Sequence, residues 1–145
     1  METHSNTAEK IKEYVDRIDT KAHFLSENVS HFIDKAKYRY QQEIDELKLQ
    51  ANLAKAEAKQ GYEERMRIVN RRSQELIVES QTFFDEKITP LIEKKDQWKI
   101  KISQLADKTD VKWEEMTEEM ESLIETTRLA FHNFTETFKQ RDKES

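Results

Sequence analysis

Along the first third of the chain, apolar residues recur at alternating steps of four and three: Ile11, Val15, Ile18, Ala22, Leu25, Val29, Phe32 and Ala36. The intervening positions are mostly charged or polar, so the pattern is a heptad seam on one face of a helix. Beyond Ala36 the steps run four, four and three through Tyr40, Ile44 and Leu47, then on to Ala51, Ala54 and Ala58. Two successive steps of four form a stutter, which locally unwinds a left-handed supercoil without ending the helix. Asn6 or Thr7 can cap the start, with Glu9 three residues after Asn6 in capping-box spacing. The spacing predicts a flexible stretch 1–6 and then one helix over about 7–59, roughly 75–80 Å long at 1.5 Å per residue.

The first break is expected at Gly61, where a glycine just past the helix end can take the left-handed conformation. The alternative is a glycine inside a continuous helix, at a cost of about 1 kcal/mol. From Tyr62 a second seam runs through Met66, Val69, Leu76, Phe83 or Phe84, Ile88, Leu91, Trp98, Ile102 and Leu105. Ser73, Ser80 and Lys95 fall on seam positions, which predicts less perfect packing there. Pro90 could start a fresh helix capped by Thr89. Because the apolar rhythm passes through it, a kink in one helix over 62–106 is the favoured reading. Asp107-Lys108-Thr109-Asp110 reads as the second turn, with Asp107 or Thr109 as cap. The third helix, about 110–139, carries Trp113, Met116, Met120, Leu123, Thr127, Ala130, Phe131, Phe134 and Phe138, and 142–145 is a flexible tail.

Composition narrows the picture. One glycine, one proline, 35% hydrophobic and 38% charged residues argue against sheets and for long helices. Charge is nearly balanced, with 25 basic and 30 acidic residues giving −5, so the charges read as helix-surface pairs rather than as an expanded disordered chain. There is no cysteine, hence no disulfide or thiolate site. The polar start and the lack of a run of about twenty apolar residues predict a cytoplasmic protein with no transmembrane segment.

A di-metal bundle needs inward Glu and Glu-x-x-His pairs, and the chain has no Glu-x-x-His. His23, Glu27 and His31 are spaced by four but lack further ligands, so no metal is expected. A single glycine cannot build a phosphate loop, and Ser73 and Ser80 have no His and acid in a local motif. The prediction is therefore no enzyme, no catalytic residue and no cofactor. Arg65, Arg67, Arg71 and Arg72, and Lys94, Lys95, Lys99 and Lys101, form basic clusters. Pairing with the acidic stretch Asp110, Glu114, Glu115, Glu118, Glu119, Glu121 and Glu125 is expected, rather than nucleic-acid binding.

Two stretches, Ala36-Lys37-Tyr38-Arg39-Tyr40-Gln41-Gln42-Glu43-Ile44-Asp45-Glu46-Leu47-Lys48 and Lys112-Trp113-Glu114-Glu115-Met116, resemble a group of small bacterial coiled-coil proteins. Some members of that group are stress-associated and soluble, without an assigned catalytic activity. The resemblance covers about 30–60 and 95–138 and implies a helical cytoplasmic protein; it carries no functional residues over. The long Ile11–Phe32 seam, Pro90 and the many phenylalanines depart from that pattern.

Together these readings predict an all-α fold, an antiparallel bundle or coiled coil of about three helices, kinked at Pro90. The expected function is non-enzymatic: self-association or binding of a helical partner, through the seam residues Leu25, Phe32, Leu47, Trp98, Trp113, Leu123 and Phe134. The alternative is a reversible lipid- or granule-surface protein. The acidic polar face of the third helix, which anionic lipid would repel, weighs against it.

Overall fold

Straight-chain charged residues and alanine lose little freedom in a helix, and every element of the computed structural model is helical. It describes the backbone of residues 2–105 and 112–143, and the side chains of 9–105 and 112–143. α1 spans Glu2–Leu53 and α2 spans Ala56–Phe83. A π-helical turn, Phe84–Ile88, leads into α3, Thr89–Gln104. α4 spans Trp113–Lys143. The fold is all-α, with no strand among the described residues.

Three boundaries differ from the sequence expectation. α1 starts at Glu2, so residues 2–6 of the expected flexible stretch 1–6 have helical backbone and the helix does not begin at Asn6 or Thr7. The first break lies at Ala54 and Lys55, not at Gly61. There the Ala54 amide donates to Ala51 at 3.4 Å, and the Lys55 carbonyl accepts from Ala58 and Lys59, both at 3.0 Å. The turn closes without any residue at positive φ among those described, so it needs no glycine. Gly61 lies inside α2, where an added Cβ would meet nothing within 4 Å. The third difference is at the C-terminal side: α4 runs 113–143 rather than 110–139, while Asp107, Thr109 and Asp110 lie outside the described residues.

The distortion expected at Pro90 takes the form of the π-turn before it. Proline has no amide to donate, and its ring clashes with the carbonyl four residues back, here Glu86, in an unbroken α-helix. A π-turn bonds i to i+5 and shifts that carbonyl out of α register. Ile88 keeps helical angles, φ −83° and ψ −49°, so the backbone distorts without unwinding. The turn also absorbs a phase step: Phe83 and Ile88, five residues apart, are both buried.

The chain divides into two compact units, and α1 contributes to both. One unit joins residues 29–53 of α1 to α2. Its two helices form an antiparallel hairpin about the 54–55 turn, with Glu43 and Arg65, nearly equidistant from that turn, paired at 3.4 Å. Its buried side chains include Val29, Tyr40, Ile44 and Ala51 of α1 and Val69, Leu76, Ser80 and Phe83 of α2. The stuttered seam is thus the buried face.

The other unit joins residues up to Asn28 of α1 to α3 and α4. Ile18, Ala22, Leu25, Ile88, Leu91, Trp98, Ile102, Thr117, Met120, Ile124 and Thr127 are buried there. α1 and α4 run in the same direction: one groove joins Lys10–Tyr14 to Lys112–Glu115, and a second joins Lys21–Asn28 to Glu121–Arg128. The inward line of α4 is Thr117, Met120, Ile124 and Thr127: Met120 and Thr127 lie on the expected seam, while Thr117 and Ile124 replace Met116 and Leu123. Both threonines bury a methyl while the hydroxyl donates to the carbonyl four residues back, Trp113 and Leu123, at 2.8 Å.

Candidate interaction surface

The ion pairs within each unit define which charges are already satisfied. Asp19 of α1 accepts from Lys99 at 2.8 Å and Lys95 at 3.1 Å. Lys95 also reaches Asp96 at 3.3 Å. Burial pushes the Asp19 carboxyl up, but the two lysine hydrogen bonds and charges outweigh it and hold it below the ordinary carboxylate range. Burial likewise pulls Lys95 down, and its bonds to Asp19 and Asp96 overcome this and raise it. Glu121 of α4 draws Arg17 to 2.6 Å and Lys21 to 3.5 Å. The Arg17 contact is a charge approach without hydrogen-bond alignment.

These contacts revise the expected charge pattern. Of the lysine cluster, Lys95 and Lys99 pair with α1 rather than with the acidic stretch of α4. Of the arginines, Arg65 pairs with Glu43, while Arg67 and Arg71 pair with Glu64 and Glu75 of their own helix. Glu121 pairs with α1, and Glu125 pairs with Arg128 of its own helix. A residue that looked like a seam defect, Lys95, proves to be a cross-helix tie.

The seam residues expected to mediate association divide by burial. Leu25 and Trp98 are buried in the unit containing α3 and α4. Trp113, Leu123 and Phe134 are half-buried in that unit, and Phe32 and Leu47 are half-buried in the hairpin unit. Leu25 lines an α1/α4 groove of about 500 Å³ together with Phe24 and Ile124. Trp113 lines another, of about 390 Å³, with Ile11 and Tyr14. Phe134 contacts Phe138 one turn on, with ring centroids 5.1 Å apart. Of the seven, Leu25 and Trp98 are core and Leu25 and Trp113 line grooves, while Phe32, Leu47, Leu123 and Phe134 keep part of their surface exposed.

Sequence reasoning passed over a different set. In the hairpin unit Tyr38, Leu49 and Leu53 are 65%, 61% and 79% exposed. At 3.6 residues per turn they fall within about 60° of one another. That sector lies roughly opposite the buried Val29, Tyr40, Ile44 and Ala51 on the same helix. The signal was a second heptad, masked by polar residues: His31, Lys35, Tyr38, Gln42, Asp45 and Leu49 follow one another at steps of four, three, four, three and four. On this face Gln42 donates to the Tyr38 hydroxyl at 2.8 Å, and Gln41 donates to Asp45 at 3.0 Å.

Among the described residues the His and acid side chains form no metal-holding group. His23 pairs with Glu27 at 3.0 Å, with both side chains exposed. Ser80 is 1% exposed and its hydroxyl meets no partner. No helix of the described residues is long and apolar enough to cross a membrane. Comparison with known protein families, with characterised proteins and with solved structures finds no match to this chain.

Proposed function

We propose that the protein is a non-enzymatic association protein, a helical coiled-coil body that joins copies of itself or another helical protein. The observation that carries this reading is the exposed apolar sector of α1, Tyr38, Leu49 and Leu53. Large apolar side chains gathered in one exposed sector, on a helix already satisfied on its opposite face, fit a surface that packs against a further helix.

The resolved shifts are those of ion pairs that hold helices and helix surfaces together. Every resolved shift, at Asp19, Glu64, Arg67, Lys95, Glu125 and Arg128, favours the charged form and follows from a neighbouring opposite charge. Catalytic acids and bases are instead pushed towards the working pH. The lipid-surface reading has less support: Met120, Ile124 and Phe138 of α4 are buried, and Glu114, Glu115, Glu118 and Glu119 line its exposed side.

Light scattering tests the association reading. The wild-type chain should show a mass above 17.4 kDa that rises with concentration. Tyr38→Ser combined with Leu49→Ser should lower that mass without loss of helical signal. Flotation with neutral and anionic vesicles gives the competing outcome: the chain in the floated fraction would favour the lipid reading.

A further inference from the structure

We infer that the occupant of the α1 outer face is a second copy of this chain, docked antiparallel on the same face. This rests on the association reading and adds its partner, direction and register. The steps between His31, Lys35, Tyr38, Gln42, Asp45 and Leu49 run four, three, four, three, four, and so read the same from either end. Two such faces laid antiparallel therefore place each stripe residue against another stripe residue. His31 meets Leu49 of the second copy, Lys35 meets Asp45, and Tyr38 meets Gln42; symmetry repeats each pair.

Charge selects this direction. A parallel, in-register pair would set Lys35 against Lys35 and Asp45 against Asp45, two like-charge layers. The antiparallel pair turns both into Lys–Asp layers. Asp34 and Lys48 flank the same stripe, and reversal brings these opposite charges together as well.

The charges that tie the other unit together are already paired. Asp19, Lys95, Lys99, Arg17, Lys21 and Glu121 all have partners within their own unit. Lys35, Asp34 and Lys48 are exposed and, among the described residues, make no ion pair or hydrogen bond through their side chains. Asp45 accepts only the neutral Gln41 amide one turn away. The outer face thus offers exposed charges of both signs; reversal joins Lys35 to Asp45 and Asp34 to Lys48, against one like-charge approach of Arg39 to Arg39 on the other flank. Lysine and aspartate on stripe positions weaken such a pair while fixing its register, so the dimer is weak and salt-sensitive.

Sedimentation equilibrium on the full chain with charge reversals is the test. Lys35→Glu and Asp45→Lys should each weaken dimerisation about tenfold or more, since two exposed pairs become two repulsions. The double variant Lys35→Glu/Asp45→Lys should restore it, because each layer regains opposite charges. All these sites are exposed, and unchanged thermal melts confirm that the variants fold. The cysteine-free chain also accepts a spin label at Gln50→Cys. Label-to-label distances of about 30–35 Å fit the antiparallel register, whereas under about 20 Å indicates parallel pairing and overturns it. A wild-type dimer indifferent to both reversals, or a double variant that stays monomeric, overturns this face and register while leaving self-association standing. A wild type that is monomeric at every concentration overturns the inference and self-association together.

Discussion

Replacing Gly61 with alanine separates two locations for the first turn by the sign of its effect. If the chain reversed at Gly61 through a left-handed glycine, a Cβ there would strain the backbone by about 1–2 kcal/mol. Instead Gly61 lies inside α2, no described residue has positive φ, and the new Cβ meets nothing within 4 Å. The methyl then brings only its helix propensity, about 0.8–1.0 kcal/mol over glycine, partly through a less flexible unfolded chain. Urea unfolding followed by circular dichroism reads this directly. At a slope of about 2 kcal/mol per molar, the midpoint should rise by about 0.4–0.5 M with the slope unchanged. Heating should show a gain of about 2–5 °C. A lowered midpoint in Gly61→Ala would refute the placement of the turn at Ala54–Lys55.

Other perturbations test the interior and the charge ties. Ser80→Ala removes a buried hydroxyl without a partner, so it should stabilise the chain by about 1 kcal/mol; a loss in chemical denaturation would mean that the hydroxyl is satisfied. Leu76→Ala empties a site only 1% exposed in the hairpin core and should cost about 2–5 kcal/mol; a cost under about 1 kcal/mol would place Leu76 outside a packed core. Asp19 titrates below its unfolded value, so its contribution is present above about pH 4 and lost as pH falls through the lower folded value. Solvent screening holds that contribution to about 1 kcal/mol or less. Asp19→Asn should therefore melt lower than wild type at pH 7 and converge with it near pH 2; parallel curves across that range would remove the Lys95–Lys99 tie.

The helical class and the buried line of α1 were legible because heptad spacing encodes burial directly. Ile18, Ala22, Leu25, Val29, Tyr40, Ile44 and Ala51 are buried in the structure, stutter included. Turn positions were less legible. Ala54 and Lys55 carry no Gly, Pro, Asn or Asp, and reversal there is set by which side chains pack across the hairpin. The π-turn was hidden because either Phe83 or Phe84 continues the rhythm, and only burial distinguishes them. The roles of Thr117 and Lys95 were hidden for a shared reason. Each is polar at an inward position, and its polar atoms are satisfied by a backbone carbonyl or a facing aspartate that sequence spacing does not reveal. The outer face of α1 escaped notice because Lys35, Gln42 and Asp45 interrupt its apolar residues.

The central claim, that this chain acts by associating through helix faces, meets its most direct test in sedimentation equilibrium of the wild-type protein across a wide concentration range. The mass should shift from 17.4 kDa towards twice that value, and raising the salt concentration should reverse the shift. A single 17.4 kDa species at all concentrations and salts would contradict self-association.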